Sequence, residues 1–280
     1  MKKQIAIIGL GLIGGSMAMA LRGFEDYELV GVDRDPDTLA FAAAHGVADR
    51  LTDDAPAVLS QADVVYLCLH PRGIVRFLEA NRDRFKPGAL VTDVCGIKTA
   101  IVEGAAVLPE AVDFIGGHPM AGRETSGIFH ADGALFRGAH YIITPGPRSC
   151  PSHVALLERI ARHIGCRDVV NTTTQKHDAI IAYTSQVMHI MAVAVCDDPD
   201  LFDCKGFEGG SFRDCTRVAA LDVPLWTELF SMNAPALCTV IRTLEDNLRA
   251  YREVIESGDT QALAAKLAWS ADRKRHMNLE

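Results

Sequence analysis

The spacing of three glycines constrains this chain more than any other feature. The stretch KQIAIIGLGLIGGSMAMALRG (Lys3–Gly23) is a β-branched apolar run, then Gly9-x-Gly11-x-x-Gly14, then an Ala/Met/Leu segment of helical character. Between a strand and a helix such glycines have separate duties: Gly9 permits the tight turn, Gly11 lets a pyrophosphate rest on backbone N–H groups at the helix N-terminus, and Gly14 allows close helix–strand packing. Leu12 and Ile13 fall in the helix's first turn, so they belong to the same cradle. The run YELVGVDRD then ends its apolar stretch at Asp33, 19 residues past Gly14. A carboxylate there accepts hydrogen bonds from ribose hydroxyls and repels a 2′-phosphate, which favours NAD over NADP. Arg34 leaves the second cofactor open, because an arginine beside the acid either assists a 2′-phosphate or lies against the adenine face.

Further β-like runs follow at ADVVYLCLH (62–70), GALVTDV (88–94), DFIGG (113–117) and AHYIITP (139–145), with helical segments between the earlier ones. Alternating strands and helices predict an α/β, doubly wound, Rossmann-like parallel sheet with extra strands at one edge. From about Lys176 the texture turns all-helical. The expected organisation is a dinucleotide-binding domain over 1–172 and a helical substrate and dimerisation domain over 173–280. With 280 residues, 49% of them hydrophobic, both can hold a core.

A net charge of −8 argues against a nucleic-acid surface, which needs a clustered excess of Lys and Arg. Eight cysteines are scattered without C-x-x-C pairs or zinc-ligand spacing, and read as free thiols of a reducing, cytoplasmic compartment with no metal. The basic, apolar N-terminus lacks a clean cleavage site, so no secretory signal is expected. No later apolar run is read as reaching the roughly 18 residues of a membrane helix.

Residues 116–127, GGHPMAGRETSG, set His118 beside Pro119 among glycines at 116, 117, 122 and 127. This is either an ordinary surface loop or one built to hold an imidazole. It directly follows a strand, and ligands on such sheets bind beyond the strands' carboxyl ends, which favours the second reading. In the helical half, Asp178, Ser185 and His189 recur at i, i+7 and i+11 with Gln186 at the border of that face. They form a polar strip satisfied within a bundle, or the wall of a site. In EGGSFRDCTRV, Ser211 and Asp214 resemble a capping box, and Arg213 and Arg217 stand at i, i+4. Two arginines one turn apart suit capture of a carboxylate, unless they are a solvated pair.

Taken together these stretches resemble the prephenate/arogenate dehydrogenase family of tyrosine biosynthesis over nearly the whole chain. The resemblance is carried by IIGLGLIGGSMAMAL, TDVCGIKTAIV, GGHPMAGRETSG, HDAIIAYTSQVMHIMA and GGSFRDCTRVA. It implies NAD-dependent oxidative decarboxylation of a small molecule, prephenate, with arogenate as the alternative substrate. His118 would be the general base, Arg217 would grip a substrate carboxylate with Arg213 in support, and His189 would contact substrate. Glu124 would hydrogen-bond or gate at the pocket edge, and long apolar helices would pair two copies as a homodimer.

Two positions depart from the pattern. Gly96, on the nicotinamide side, stands where many members have serine, leaving water or the Cys95 thiol to take the hydroxyl's place. Gln186, which the resemblance implies as a further substrate-binding residue, stands where a histidine is frequent. Other readings are a 3-hydroxyacid-type dehydrogenase, which would use a catalytic lysine, and a catalytically idle NAD-binding sensor dimer.

Overall fold

The computed structural model describes residues 2–277. One compact unit runs up to Ala234 and a second begins at Pro235. The change of texture at 172/173 marks where strands stop, whereas the dense packing of the first unit continues through four more helices.

The first unit is built on an eight-stranded sheet: β1 Lys3–Ile8, β2 Tyr27–Val32, β3 Arg50–Thr52, β4 Val64–Leu67, β5 Leu90–Asp93, β6 Asp113–Pro119, β7 His140–Thr144 and β8 Asp168–Asn171, in the order β3-β2-β1-β4-β5-β6-β7-β8. All pairings are parallel except β6 with β7. Around it lie α1 Leu12–Ala20, α2 Pro36–Ala44, α3 Ala55–Leu59, α4 Pro71–Asn81, α5 Thr99–Gly104 and α6 Pro151–His163. Strand alternation sorts the core into two layers. Ile5, Ile7, Leu29 and Tyr66 face one side with Met17 of α1 and Ile160 of α6. Ala6, Ile8, Val30, Val65 and Leu67 face the other with Ile74 and Leu78 of α4 and Ile101 of α5. Burial on both faces is what a doubly wound sheet requires.

The expected strands all form, and two additional ones appear. β3 and β8 span three and four residues at the sheet's edges, too short to show a period. One boundary changes the reading of the site: β6 runs two residues past DFIGG and takes in His118 and Pro119, which pair with Ile142 and Tyr141 of β7. His118 is therefore held by a ladder rather than a loop.

Beyond β8 come α7 Thr174–Ile181, a π turn over Ala182–Gln186, α8 Val187–Cys196, α9 Gly210–Thr216 and α10 Val223–Met232. The π turn inserts a residue into what reads as one continuous helix. Each inserted residue rotates the downstream helix by about 100°, so the expected common face of Asp178, Ser185 and His189 is broken between its first and last members. The expected capping box is also absent: α9 starts at Gly210 after Gly209, and no side chain caps it. α10 lays Leu225, Trp226 and Leu229 against the α4/α5 layer, and Glu228 Oε2 accepts the Arg72 N–H in the first turn of α4 at 2.9 Å.

Thr174–Cys196 is long and apolar enough, by length and composition, to cross a membrane, contrary to the sequence expectation, and 28% of its apolar window is buried. The second unit holds most of α11 (Ala234–Glu256) and α12 (Thr260–Met277), joined by a 2.8 Å hydrogen bond between Tyr251 and Ser270 hydroxyls.

The glycine turn shows why its residues differ. A Cβ at Gly14 would lie 1.8 Å from the Gly9 carbonyl oxygen, and one at Gly9, whose φ is +90°, would lie 2.6 Å from the Cys68 oxygen. At Gly11 a Cβ would meet nothing within 4 Å. Gly14→Ala is accordingly expected to destabilise the protein by at least the roughly 1–3 kcal/mol of an overpacked core, whereas Gly11→Ala keeps the parental urea midpoint. Equal midpoints for the two variants would contradict this packing.

Candidate active site

The dinucleotide cradle lies where strand order reverses between β1 and β4. Gly11 is the N-cap of α1, and no side chain among the described residues caps that end. The N–H groups of Leu12 and Ile13 open the helix beside the open space over Gly11. Asp33, half-buried at the end of β2, accepts the Leu10 N–H at 2.7 Å and the Asp35 N–H at 3.0 Å. Its carboxylate is thus locked onto the glycine turn beside the open cradle. Arg34 is exposed. The donor set and the open cradle fit a dinucleotide.

His118 sits at the carboxyl end of β6, and its Nδ1 lies 2.9 Å from His177 Nε2. His177 is buried, and its Nδ1 lies 2.8 Å from Asp178 Oδ1. Asp178 in turn accepts the N–H groups of Lys98 and Thr99, at 2.7 and 2.8 Å, where α5 begins. Burial pushes the Asp178 carboxyl up, but hydrogen bonds from His177, Thr99 and Lys98 outweigh it and hold the group below its ordinary value.

An ionised carboxylate only accepts, so His177 carries its proton on Nδ1 and offers a lone pair at Nε2. Facing that lone pair, His118 donates from Nδ1, and its Nε2 is left with a lone pair of its own. The tautomers follow from the network. Burial lowers the His118 pKa well below 6.5, with His177 and the Lys98 cation adding to the effect against Asp178. The result is a neutral imidazole whose free nitrogen is a proton acceptor at and below neutral pH.

That nitrogen faces Gly96. A Cβ at Gly96 would stand 3.9 Å from His118 Nε2 and 3.5 Å from Leu229 Cδ2. A serine therefore fits here. Cys95 is packed in the aliphatic layer, and burial pushes its thiol up to about 12.

Three more of the expected residues, Arg217, Glu124 and His189, come together. Arg217, opening the 3₁₀ turn Arg217–Ala219, donates to Glu124 Oε1. Both charges also act on the half-buried His189, whose pKa is lowered first by burial and then by Arg217, against the Ser185 carbonyl and Glu124. His189 Nδ1 donates to the Ser185 carbonyl at 3.0 Å, and its ring stacks on Trp226 with centroids 3.6 Å apart. Arg213 turns away and donates to the Glu208 carbonyl at 3.2 Å. Gln186 is buried with both ends of its amide engaged: Nε2 donates to the Leu229 carbonyl at 3.1 Å, and Oε1 accepts from Asn233 at 2.8 Å. It holds the backbone of the residue that covers Gly96.

Sequence reasoning missed His177, Lys98 and Trp226 as site residues. The adjacent pair His177-Asp178 was visible, but neighbours on a helix are not read as one face, and their partners lie 59 and 80 residues away. Among the described residues no three His, Cys, Asp or Glu side chains gather as a metal site.

Two family descriptions match the chain: "Prephenate dehydrogenase, nucleotide-binding domain" over residues 17–170, and "Prephenate dehydrogenase, dimerization domain" over residues 173–269. The chain belongs to the prephenate dehydrogenase family. Among its relatives, the cyclohexadienyl dehydrogenase of Zymomonas mobilis is 30% identical, the alignment covering 92% of this chain and 90% of that protein. The prephenate dehydrogenase of Bacillus subtilis is 29% identical, covering 94% and 73%. The crystal structure of A. aeolicus prephenate dehydrogenase with hydroxyphenyl propionate and NAD+ superposes with a TM-score of 0.87 at 27% identity, covering 100% and 99%. Synechocystis arogenate dehydrogenase gives 0.83 at 30% identity, covering 98% and 99%. A Mycobacterium tuberculosis 3-hydroxyisobutyrate dehydrogenase, at 21% identity and a TM-score of 0.54, shares the fold alone.

For this family member the relay makes two checkable statements. Asp178→Asn forces an amide donor against one of three existing donors, so turnover should fall by up to roughly 10⁴-fold, by analogy with other histidines whose tautomer is fixed by an aspartate, as read by steady-state kinetics. Gly96→Ser should fold normally and keep or raise turnover, since its hydroxyl has room beside Nε2. A collapse of turnover in a folded Gly96→Ser protein would contradict that geometry.

Proposed function

We propose that this chain is an NAD-dependent dehydrogenase that converts prephenate to 4-hydroxyphenylpyruvate, CO₂ and NADH. The observation that carries the reading is the neutral His118 held by His177 and Asp178 with Nε2 free. Oxidation of the ring carbon that bears the hydroxyl needs a base for the hydroxyl proton, and His118 Nε2 accepts it. Bound NAD takes the hydride from that carbon. Loss of the ring carboxylate as CO₂ then restores an aromatic ring, so the protein's tasks are orientation and keeping the base unprotonated.

Gly9, Gly11, Leu12, Ile13 and Gly14 hold the pyrophosphate in this reading, Asp33 the ribose, and Gly96 the floor beside the nicotinamide. Arg217 grips a substrate carboxylate, which competes with Glu124 for the guanidinium, so Glu124 gates the same spot. His189, braced by Trp226, presents Nε2 to the substrate. Arg213 supports Arg217 only through the shared backbone of its segment, and Gln186 acts through Leu229.

The functional division we propose assigns cofactor to 1–172, and substrate side and pairing to 173–280. A second copy is the natural cover for the exposed Tyr183, Met188, Met191 and Val195 of Thr174–Cys196, and the matched dimerization description supports a homodimer. The same helix spends His177, Asp178 and Gln186 on the site, which favours a protein partner over a bilayer. Eight free cysteines support a reducing, cytoplasmic setting.

Arogenate is the second reading, favoured by the Synechocystis relative. It differs only in an ammonium in place of the side-chain keto group. Offering prephenate and arogenate in parallel, each with NAD and with NADP, and following reduced cofactor by absorbance separates them. Turnover of prephenate with NAD supports the proposal, turnover of arogenate alone moves the substrate, and silence in all four pairs overturns both.

His118→Asn should lower kcat roughly 10²–10⁴-fold, the scale of a lost general base, with NAD affinity unchanged by titration. Because the His118 pKa is depressed, parental kcat should stay flat as pH falls through 6.5. A drop centred there would mean an ordinary imidazole. Arg217→Ala should raise KM far more than it lowers kcat.

A further inference from the structure

We propose that Lys98 is a positioning residue of the base, gripping the strand that carries His118 with its ammonium while its own backbone anchors the hydrogen-bond relay behind that histidine. The proposal rests on the reading of His118 as the base.

The ladder between β5 and β6 ends early. The two strands pair only as far as Thr92 opposite Ile115, yet β6 continues to Pro119. The N–H and C=O of Gly117 therefore face a place where β5 no longer supplies partners, and buried backbone groups must find others. Two charged side chains take over. Asp93 Oδ1 accepts the Gly117 N–H at 3.2 Å, and Lys98 Nζ donates to the Gly117 carbonyl at 2.8 Å. Lys98 Nζ also donates to Asp93 Oδ2, which accepts the Cys95 N–H at 2.9 Å. Both side chains are fully buried.

The glycines around His118 now have a local reason. A Cβ at Gly116 would lie 3.0 Å from Lys98 Cδ, and one at Gly117 would lie 2.8 Å from the Asp93 carbonyl oxygen. Side chains here would meet Thr144 and Tyr141 of β7 first, at 2.4 and 2.6 Å, and then the lysine and the β5 end. The glycine pair lets an ion pair finish the ladder.

The contacts close on themselves. From Lys98 Nζ the path runs to Gly117, along the backbone to His118, across to His177, to Asp178, and back to the Lys98 N–H. One residue thus fixes the base from its strand and from its relay. A buried pair of this kind is costly when one partner is removed, and its retention calls for a role in specifying geometry.

Its charge acts in the same place. The titratable groups around His118 are Asp93 at the end of β5, Cys95 and Lys98 from the segment after it, His177 and Asp178 from α7, and Tyr141 from β7. α10 contributes the apolar Leu229 beside Gly96. Among them the Lys98 cation opposes protonation of His118 together with His177, while Asp178 favours it.

Two variants test the proposal. In Lys98→Met the cation is gone and Asp93 remains, so the His118 ring, followed by ¹⁵N NMR, should titrate at a higher pH than in the parent, and the acid limb of kcat should move with it. Lys98→Met with Asp93→Asn removes the unpaired charge and keeps the protein folded if the single variant fails. It should lower kcat tenfold or more, with KM for substrate and cofactor within about threefold, because a misplaced base costs rate rather than binding. An unmoved His118 midpoint in folded Lys98→Met, or parental kcat in the folded double variant, overturns the proposal. The NMR titration needs no turnover, so it separates this failure from an error about the reaction.

Discussion

The chemistry of this fold depends on one ionised carboxylate. Asp178 accepts two backbone N–H groups at the start of α5 and a histidine proton besides, and an acceptor with three donors leaves His177 no choice of tautomer. His177 then leaves His118 none. The free lone pair on His118 Nε2 is a consequence of where α7 meets α5, and no residue touching the substrate has to create it. Desolvation does the rest, because a half-buried imidazole beside a second imidazole and a lysine cation is disfavoured as a cation.

That arrangement demands that strand, helix and loop agree to within a hydrogen bond. β6 outruns β5, glycines at 116 and 117 leave room, and Asp93 and Lys98 complete the unfinished ladder. Gln186 and Asn233 tie the π turn to α10, which sets Leu229 beside Gly96 and stacks Trp226 on His189. Such buried polar networks are worth most when every member is satisfied. Here the satisfied members are the ones that place His118 and the cover over Gly96.

Much of this was legible in the residues. The glycine turn, Asp33 and the alternation of apolar runs dictate a doubly wound sheet, because each feature has a single mechanical use. His118 was legible as a site residue by its position after a strand, although the strand itself claims it. What could not be read has physical reasons. β3 and β8 are shorter than a period can reveal. The π turn leaves no mark in a pattern that reads as one continuous helix, and it separates Asp178 from His189 in direction. Gly209 caps α9 by conformation alone, so the Ser211/Asp214 pattern pointed to a cap that does not form. Lys98 resembles any lysine at the start of a helix, and only the tertiary structure shows that its ammonium is inside. Gln186 looked like a substrate contact, and its amide is spent within the protein.

The central claim is that two ring nitrogens carry protons and a third does not, and neutron diffraction from a perdeuterated crystal at neutral pH reads this directly. The account predicts a deuteron on His177 Nδ1 directed at Asp178, one on His118 Nδ1 directed at His177, and none on His118 Nε2. A deuteron on His118 Nε2 would mean that the nitrogen facing Gly96 is a donor, and His118 could not then be the base.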